Sequence, residues 1–506
     1  MTKLPVKELP VTHKYRVTLL NGIRTLSFGV AIFFCLASVT SAADHMNVLF
    51  IAADDLRNDL ACYGHSMVRT PNLDRLAQRG VVFDRAYCQQ AVCNPSRASL
   101  MTGRHPDSLQ IWDLPTHFRD RNPNAVTLPE HFKQQGYFTQ NIGKIFHNWI
   151  HEVQGDPQSW SVPAVMHFAN HGRDQAVVEG EIPPSSAIDP KCDCRDVPDD
   201  AYFDGRVAKL AVEAISQLKH SQQPFFLAVG FWKPHSPFNA PKKYWDLYER
   251  DQIPLPRHAE WPTDAPRIAW HDSREILGVK TRKITEENIR EMRHGYLANI
   301  SYMDAQIGKV LDALDHNDLT RHTVVVFWSD HGYHLGEQTL WAKTSNFELD
   351  ARVPLIIATP GMTTAGKRTD SLAELTDLYP TLIELCGLPS REGLDGRSLV
   401  PVLSNVHSSV RDVALTQHPR PAYYDREPDK QPTHMGYSIR SATHRYTEWR
   451  DWKTGQTTDR ELYDHVNDPD ETRNIANQAE QRDVVAQHSA MLTEQQPIVR
   501  PEWKQQ

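Results

Sequence analysis

Five short apolar runs are spaced along the 506-residue chain, and four of them end in side chains that carry charge or an imidazole. Asn47–Ala53 runs into Asp54 and Asp55, and Tyr137–Ile142 into Lys144 and His147. Pro224–Phe231 runs into Lys233 and His235, Thr323–Trp328 into Asp330 and His331, and the fifth run is Pro354–Thr359. Runs this short, with little polar alternation, suit strands covered on both faces. Between them lie amphipathic stretches. Asn72–Arg79 sets Leu73, Leu76 and Ala77 on one face, and Glu286–Leu314 spaces Ile289, Met292, Tyr296, Ile300, Met303, Ile307 and Val310 three or four apart. The pattern predicts an α/β fold with helices on both sides of a sheet. Ligands bind outside the carboxyl ends of strands in such sheets, so four chemically loaded ends converge on one crevice.

Composition narrows the class. Apolar (40%) and charged (23%) fractions are those of a soluble globular chain, and a net charge of -8 argues against a nucleic-acid binder. At the N-terminus His13, Lys14, Arg16 and Arg24 precede the apolar run Leu26–Val39, and Thr40-Ser41-Ala42-Ala43 offers small residues for cleavage. Residues 1–43 therefore read as a signal peptide, with export to a periplasm or the exterior and no stable membrane association afterwards. Without Cys35, six cysteines remain: Cys62, Cys88, Cys93, Cys192, Cys194 and Cys386. That is too few for a disulfide scaffold, and the pairing of Cys192 and Cys194 stays open. A single sequon, Asn299-Ile300-Ser301, favours a bacterial source. Residues 155–200 and 253–272 read as irregular insertions, rich in Pro, Asp and Gly. Beyond Leu403, short pieces such as Val413–Thr416, Gly436–Arg440 and Tyr446–Trp449 suggest a small antiparallel subdomain. The expected division is a catalytic domain over 44–405 and a C-terminal subdomain over 406–506.

Asp54 and Asp55 put two carboxylates side by side, which repel unless a cation lies between them. Asp330 adds a third, and this oxygen-rich set suits calcium or magnesium better than zinc, although His331 blurs the choice. Cys93 opens Cys93-Asn94-Pro95-Ser96-Arg97, where Pro and Ser begin a helix that Gly103 ends. A helix N-terminus favours negative charge, with Arg97 one turn on to bind an anion.

The run Cys93-x-Pro95-Ser96-Arg97 with Leu100-x-Thr102-Gly103-Arg104 resembles the signature of type I sulfatases, in which a maturation enzyme oxidises the cysteine to formylglycine. Asp54-Asp55-Leu56-Arg57, Gly143-Lys144-Ile145-Phe146-His147, Lys233-Pro234-His235 and Trp341-Ala342-Lys343 are similar to the iduronate-2-sulfatase branch, as is Met435-Gly436-Tyr437-Ser438-Ile439-Arg440. The resemblance implies an alkaline-phosphatase-like fold: a large central mixed sheet covered by helices, plus a small C-terminal antiparallel sheet. It implies calcium held by Asp54, Asp55, Asp330, His331 and the formylglycine at 93.

By the same resemblance the hydrated aldehyde attacks a sulfate ester. Lys144, Lys343 and Arg97 surround the sulfate, His235 is the general acid, and His147 takes the proton that releases sulfate. The implied substrate is a sulfated polysaccharide or oligosaccharide, with 2-O-sulfate on iduronate or a related uronate. Lys144, His235, Lys343 and Arg440 would contact it. Tyr333-His334 stands where the branch has Trp after Asp-His-Gly, a position that faces the substrate in relatives. Two alternatives remain: a phosphate or phosphonate monoester hydrolase of the same superfamily, and a non-catalytic glycan-binding relative. A binder would have no need of the set Cys93, Arg97, Lys144, His235 and Lys343.

Overall fold

The structure is a computed structural model that describes residues 45–147, 155–167, 176–187, 191–277, 284–427 and 429–495. The expected signal peptide therefore lies outside the described residues. Seven strands form the central sheet: β1 (Asn47–Asp54), β2 (Val81–Tyr87), β3 (Phe138–Gly143), β4 (Phe225–Pro234), β5 (Thr323–Ser329), β6 (Arg352–Ala358) and β7 (Arg368–Glu374). Their order is β7-β2-β6-β5-β1-β4-β3. The pairings make β6 antiparallel to both neighbours and every other pair parallel. All five runs predicted as strands are strands. β2 and β7 are additional, because Asp84-Arg85 interrupts one apolar run and Arg368-Thr369-Asp370-Ser371 makes the other read as polar. Across these two strands Arg368 pairs with Asp84.

Side chains alternate between two cores. Leu49, Ile51 and Ala53 of β1, with Leu227 and Val229 of β4, face one side. There they meet α1 (Pro71–Arg79), α3 (Phe203–Leu218) and α4 (Glu286–His316). Val48, Phe50 and Ala52 face the other side, with α2 (Cys93–Thr102) and α5 (Leu378–Leu385). Val48, Leu49, Phe50 and Ile51 are completely buried, each contributing roughly 1.5–3 kcal/mol of transfer free energy. Asn299 is buried in α4, its amide donating to the Gly295 carbonyl at 2.6 Å, so the sequon is no acceptor in the folded chain.

The region read as an irregular insertion over 155–200 holds a short strand, Cys192–Arg195, paired in parallel with Phe238–Pro241. Cys192 and Cys194 are both unbridged. The small sheet is present as expected, in the order β8 (Ala414–Arg420), β9 (His434–Arg440), β10 (His444–Asp451), β11 (Thr457–Asp464), all antiparallel. α6 (Arg482–Gln495) packs on it. No helix among the described residues is long and apolar enough to cross a membrane.

Candidate active site

Five strands deliver the site, one more than the sequence suggested, because β2 leads through Cys88–Val92 into α2. Cys93 opens α2 and is 2% exposed. Its Sγ lies 3.5 Å from Asp54 Oδ1, 3.4 Å from His331 Nε2 and 3.6 Å from Lys144 Nζ. Burial, with Asp54 adding, pushes the Cys93 thiol well above its ordinary range, which makes it a poor thiolate.

Asp54 ends β1, and Lys144 donates to it. Burial alone would raise the Asp54 carboxyl, but Lys144, with Arg97 and Lys343 adding, holds it well below the usual range. Asp55 adopts a left-handed backbone (φ 63°), a conformation that costs about 1–2 kcal/mol in a residue with a Cβ. Its N–H donates to Asp330 Oδ1 at 3.2 Å and its carbonyl accepts the Tyr296 hydroxyl at 2.7 Å, which holds the turn. Burial pushes the Asp55 carboxyl well above its usual range; Lys343 opposes this, while Asp54, Glu275 and Asp330 add to it.

His331 Nδ1 pairs with the Gly332 carbonyl at 3.0 Å, leaving Nε2 aimed at the cluster, 3.4 Å from Asp55 Oδ1 and 3.7 Å from Asp330 Oδ2. Burial pushes this imidazole down, towards its neutral, metal-ligating form. Asp54, Cys93, Asp330 and His331 bring ligand atoms within 4.8 Å of one another, and so do Asp54, Asp55, Cys93 and His235. Mutually repelling carboxylates around one neutral imidazole fit a hard divalent cation.

Lys144 is placed by glycines. Gly143 (φ 84°) pairs with Gly230 across β3 and β4, and the Lys144 N–H donates to the Gly230 carbonyl at 2.9 Å. A Cβ on Gly230 would stand 1.9 Å from the Lys144 carbonyl oxygen. Lys343 sits between two non-glycine residues with positive φ, Ala342 (68°) and Thr344 (92°). Its ammonium contacts both Asp55 oxygens at 3.0 Å, Glu275 Oε1 at 2.7 Å and His235 Nε2 at 3.2 Å. Burial would lower it, but Asp55 and Glu275 raise it well above its ordinary value.

His235 Nδ1 pairs with the Ser236 carbonyl at 2.6 Å, so Nε2 accepts from Lys343. Burial and Lys343 keep this ring neutral. Burial, with Lys144, does the same for His147, where Asp54, Arg97 and Lys343 also act.

Arg97 departs from its expected place as an anion clamp. It is fully buried, and its donors go to Asp330 Oδ2 (2.7 Å) and to the carbonyls of Lys144 (2.7 Å), Ile145 (3.0 Å) and Ala53 (3.0 Å). Three residues expected at the substrate also sit differently. His334 is buried with both nitrogens engaged, by Asp350 Oδ1 at 2.6 Å and Gln338 Oε1 at 2.9 Å. Arg440 belongs to another cluster, 3.6 Å from Glu348, and donates to the Ser441 carbonyl. Tyr333 reaches the site only through its ring, which stacks on Tyr296 and carries Lys343 Nζ 5.8 Å from its centroid.

Glu275, Trp232 and Ser96 escaped the sequence reading as functional residues. Glu275 lies in a polar stretch with nothing to single it out. Trp232 lies under Lys144 Nζ at 4.9 Å; in sequence it directly follows the apolar run Pro224–Phe231 and reads as part of it. Ser96 donates to the Asp330 carbonyl at 2.5 Å; it is part of the motif, but its partner is visible only in three dimensions.

The sheet, the helices on both faces and the loaded strand ends give an alkaline-phosphatase-like fold, and the chain's relatives make it a hydrolase of sulfuric esters. The chain belongs to the sulfatase family, whose model matches residues 46–388; residues 336–497 match that of the N-sulphoglucosamine sulphohydrolase C-terminal region. It is 36% identical to mouse iduronate 2-sulfatase, covering 84% of this chain and 90% of that one. The human iduronate 2-sulfatase is 34% identical over 81% and 86% of the two chains. Among solved structures, the phosphonate monoester hydrolase of Agrobacterium radiobacter superposes with a TM-score of 0.72 at 24% identity, covering 89% of this chain and 95% of that one. A 2-O GAG sulfatase superposes with a TM-score of 0.69 at 23% identity, covering 89% and 91%. These two likenesses bear on the fold alone.

Proposed function

We propose that this enzyme removes a 2-O-sulfate from iduronate or a related uronate in a sulfated glycan, using a formylglycine made from Cys93 by a maturation enzyme, and calcium. One observation carries the reading: position 93 is a buried side chain flanked at 3.4–3.6 Å by a carboxylate, an imidazole and an ammonium. Its thiol is disfavoured as a thiolate, whereas an aldehyde needs no ionisation to serve. The names of the mouse and human relatives support the uronate.

Asp54, Asp55, Asp330 and His331, with residue 93, would hold the calcium, which supplies Lewis-acid polarisation and offsets the carboxylates. A formylglycine at position 93 would supply, once hydrated, the hydroxyl that attacks sulfur and a second hydroxyl whose proton must be taken to release sulfate. The remaining steps belong to the chain. Lys144, fixed by its backbone bond to Gly230 and resting on Trp232, stabilises charge on the sulfate oxygens. Arg97 orients Asp330 and the Ala53, Lys144 and Ile145 backbone. The resting proton lies on Lys343 Nζ with His235 Nε2 accepting it, so the pair together protonates the leaving sugar oxygen, worth about 10²–10⁴-fold. His147, kept neutral by burial, is suited to take the proton that releases sulfate. We propose export as well, on the basic and apolar pattern of residues 1–43.

Intact-mass analysis of the peptide carrying Cys93 tests the first step: formylglycine is about 18 Da lighter than cysteine. A panel of 2-O-sulfated uronate disaccharides, beside aryl sulfate and aryl phosphate, tests the second. Faster turnover of the phosphate, or no release from any uronate, would overturn the substrate assignment.

A further inference from the structure

We infer that Glu275 is a positioning residue that releases Asp55 to the divalent cation by giving Lys343 a second counter-ion. The inference rests on the metal reading above and concerns a carboxylate with no assigned role. Lys343 Nζ meets both oxygens of Asp55 at 3.0 Å. One of those oxygens, Oδ1, is also 3.4 Å from His331 Nε2, so it faces the other ligands. A cation entering there competes with the ammonium for the same oxygens. Lys343 is 2% exposed, and a buried ammonium that loses its only anion is strongly disfavoured.

Glu275 removes that obstacle. Its Oε1 is already the closest anionic atom to Lys343, at 2.7 Å, and its Oε2 accepts the Tyr423 hydroxyl at 3.2 Å, which fixes the carboxylate. Lys343 can therefore leave Asp55 without leaving all negative charge. The cluster also gains a fourth carboxylate against the three cations Lys144, Lys343 and Arg97, so a divalent ion enters a field of net negative sign. With an amide at 275, the ammonium stays on Asp55 and holds the cation off.

Calcium titration calorimetry on chelator-stripped protein tests this, using wild type, Glu275→Gln, Lys343→Met and the double variant, with circular dichroism to confirm folding. Glu275→Gln is expected to weaken calcium binding about tenfold, while the same change in the Lys343→Met background shifts it by less than about twofold. Tyr423→Phe, which removes only the hydroxyl that fixes Glu275, is expected to weaken binding by about threefold and serves if Glu275→Gln does not fold. Unchanged affinity in both Glu275→Gln and Tyr423→Phe overturns the inference. So does an equal loss with and without Lys343, which would mean a through-space charge effect. If wild type itself binds no calcium, the metal reading fails first, and that outcome is distinct from the other two.

Discussion

An arginine one turn after a nucleophile, in an enzyme of anionic esters, invites reading as an anion clamp, and the residue type alone supports it. The four acceptors around Arg97 point to another role: it ties the ends of β1, β3 and β5 to α2 through one planar group. A lysine keeps the charge and cannot span those acceptors. Arg97→Lys is therefore expected to lower kcat/KM by about a hundredfold, the equivalent of one or two lost charge-assisted bonds at about 1.5–3 kcal/mol each. An anion clamp would instead retain most activity with lysine, chiefly raising KM, so steady-state kinetics on an aryl sulfate separates the two roles. His334 teaches the same lesson: sequence gives the residue type at a position, while its partners Asp350 and Gln338 come from the fold.

Strands whose sequences end in chemistry converge as expected, because a buried run terminated by Asp or His can place that polar group only where the strand leaves the sheet at its carboxyl end. Asp54, Asp55, Lys144, His235, Asp330 and His331 were legible for that reason, and Cys93 through its motif. Lys343 is another matter. It follows the two-residue strand Trp341–Ala342, nine residues before β6, and is held by positive φ on both sides, which no periodicity reports; only the resemblance located it. Glu275 lies just past the 253–272 insertion, on the single turn Arg274–Leu277, too short to show a pattern. β2 and β7 were missed because their outward positions carry charges that pair with each other. At this scale the close crossing of β3 and β4 makes a sharp test. Gly230→Ala must push the Lys144 carbonyl aside, against an overpacking cost of about 1–3 kcal/mol or more. Expected are a lower melting temperature and a fall in kcat larger than that from a core Ile→Val change of similar stability cost; equal falls would mean that Lys144 tolerates displacement.

The small sheet also carries a pH dependence. Glu461 on β11 is buried, accepting from Trp449 Nε1 at 2.7 Å and the Tyr463 hydroxyl at 2.6 Å. Burial pushes its carboxyl from 4.5 up to about 7. Between those values the folded state keeps a proton that the unfolded chain has released, so stability falls as pH rises through the window and levels off above about 7. The contribution is about 3 kcal/mol. Glu461→Gln keeps both partners satisfied and cannot titrate. Its stability relative to wild type should climb by that amount from pH 4.5 to pH 7, read by chemical denaturation at each pH; a constant difference would refute the assignment.

Across the whole molecule, the expected boundary at 405/406 raises the question of whether the catalytic part can stand without the residues beyond it. Several bonds argue that it cannot. The Gln417 N–H donates to the Gln89 carbonyl, four residues before Cys93, at 2.8 Å, and the Leu415 N–H donates to Glu374 Oε1 at 2.8 Å. Arg420, buried over Trp449, donates to the Thr344 carbonyl beside Lys343 at 3.1 Å and to Ile268 and Ala269 at 2.8 and 2.6 Å. Arg445 joins Glu348 at 2.5 Å. Each contact leaves a buried polar group unpaired once its partner is gone, at about 1–3 kcal/mol apiece, and several such losses are comparable with the 5–15 kcal/mol of a whole domain. Residues 406–506 are thus expected to be part of the catalytic body's stability and of the footing of Lys343. Truncation after Asn405 should yield an insoluble or molten chain rather than a weakly active core. Arg420→Met, which leaves the chain whole, should lower kcat/KM about tenfold through the loosened Thr344 carbonyl, with a modest drop in melting temperature. A truncated protein that melts cooperatively and hydrolyses an aryl sulfate would show instead that the boundary separates two independent units.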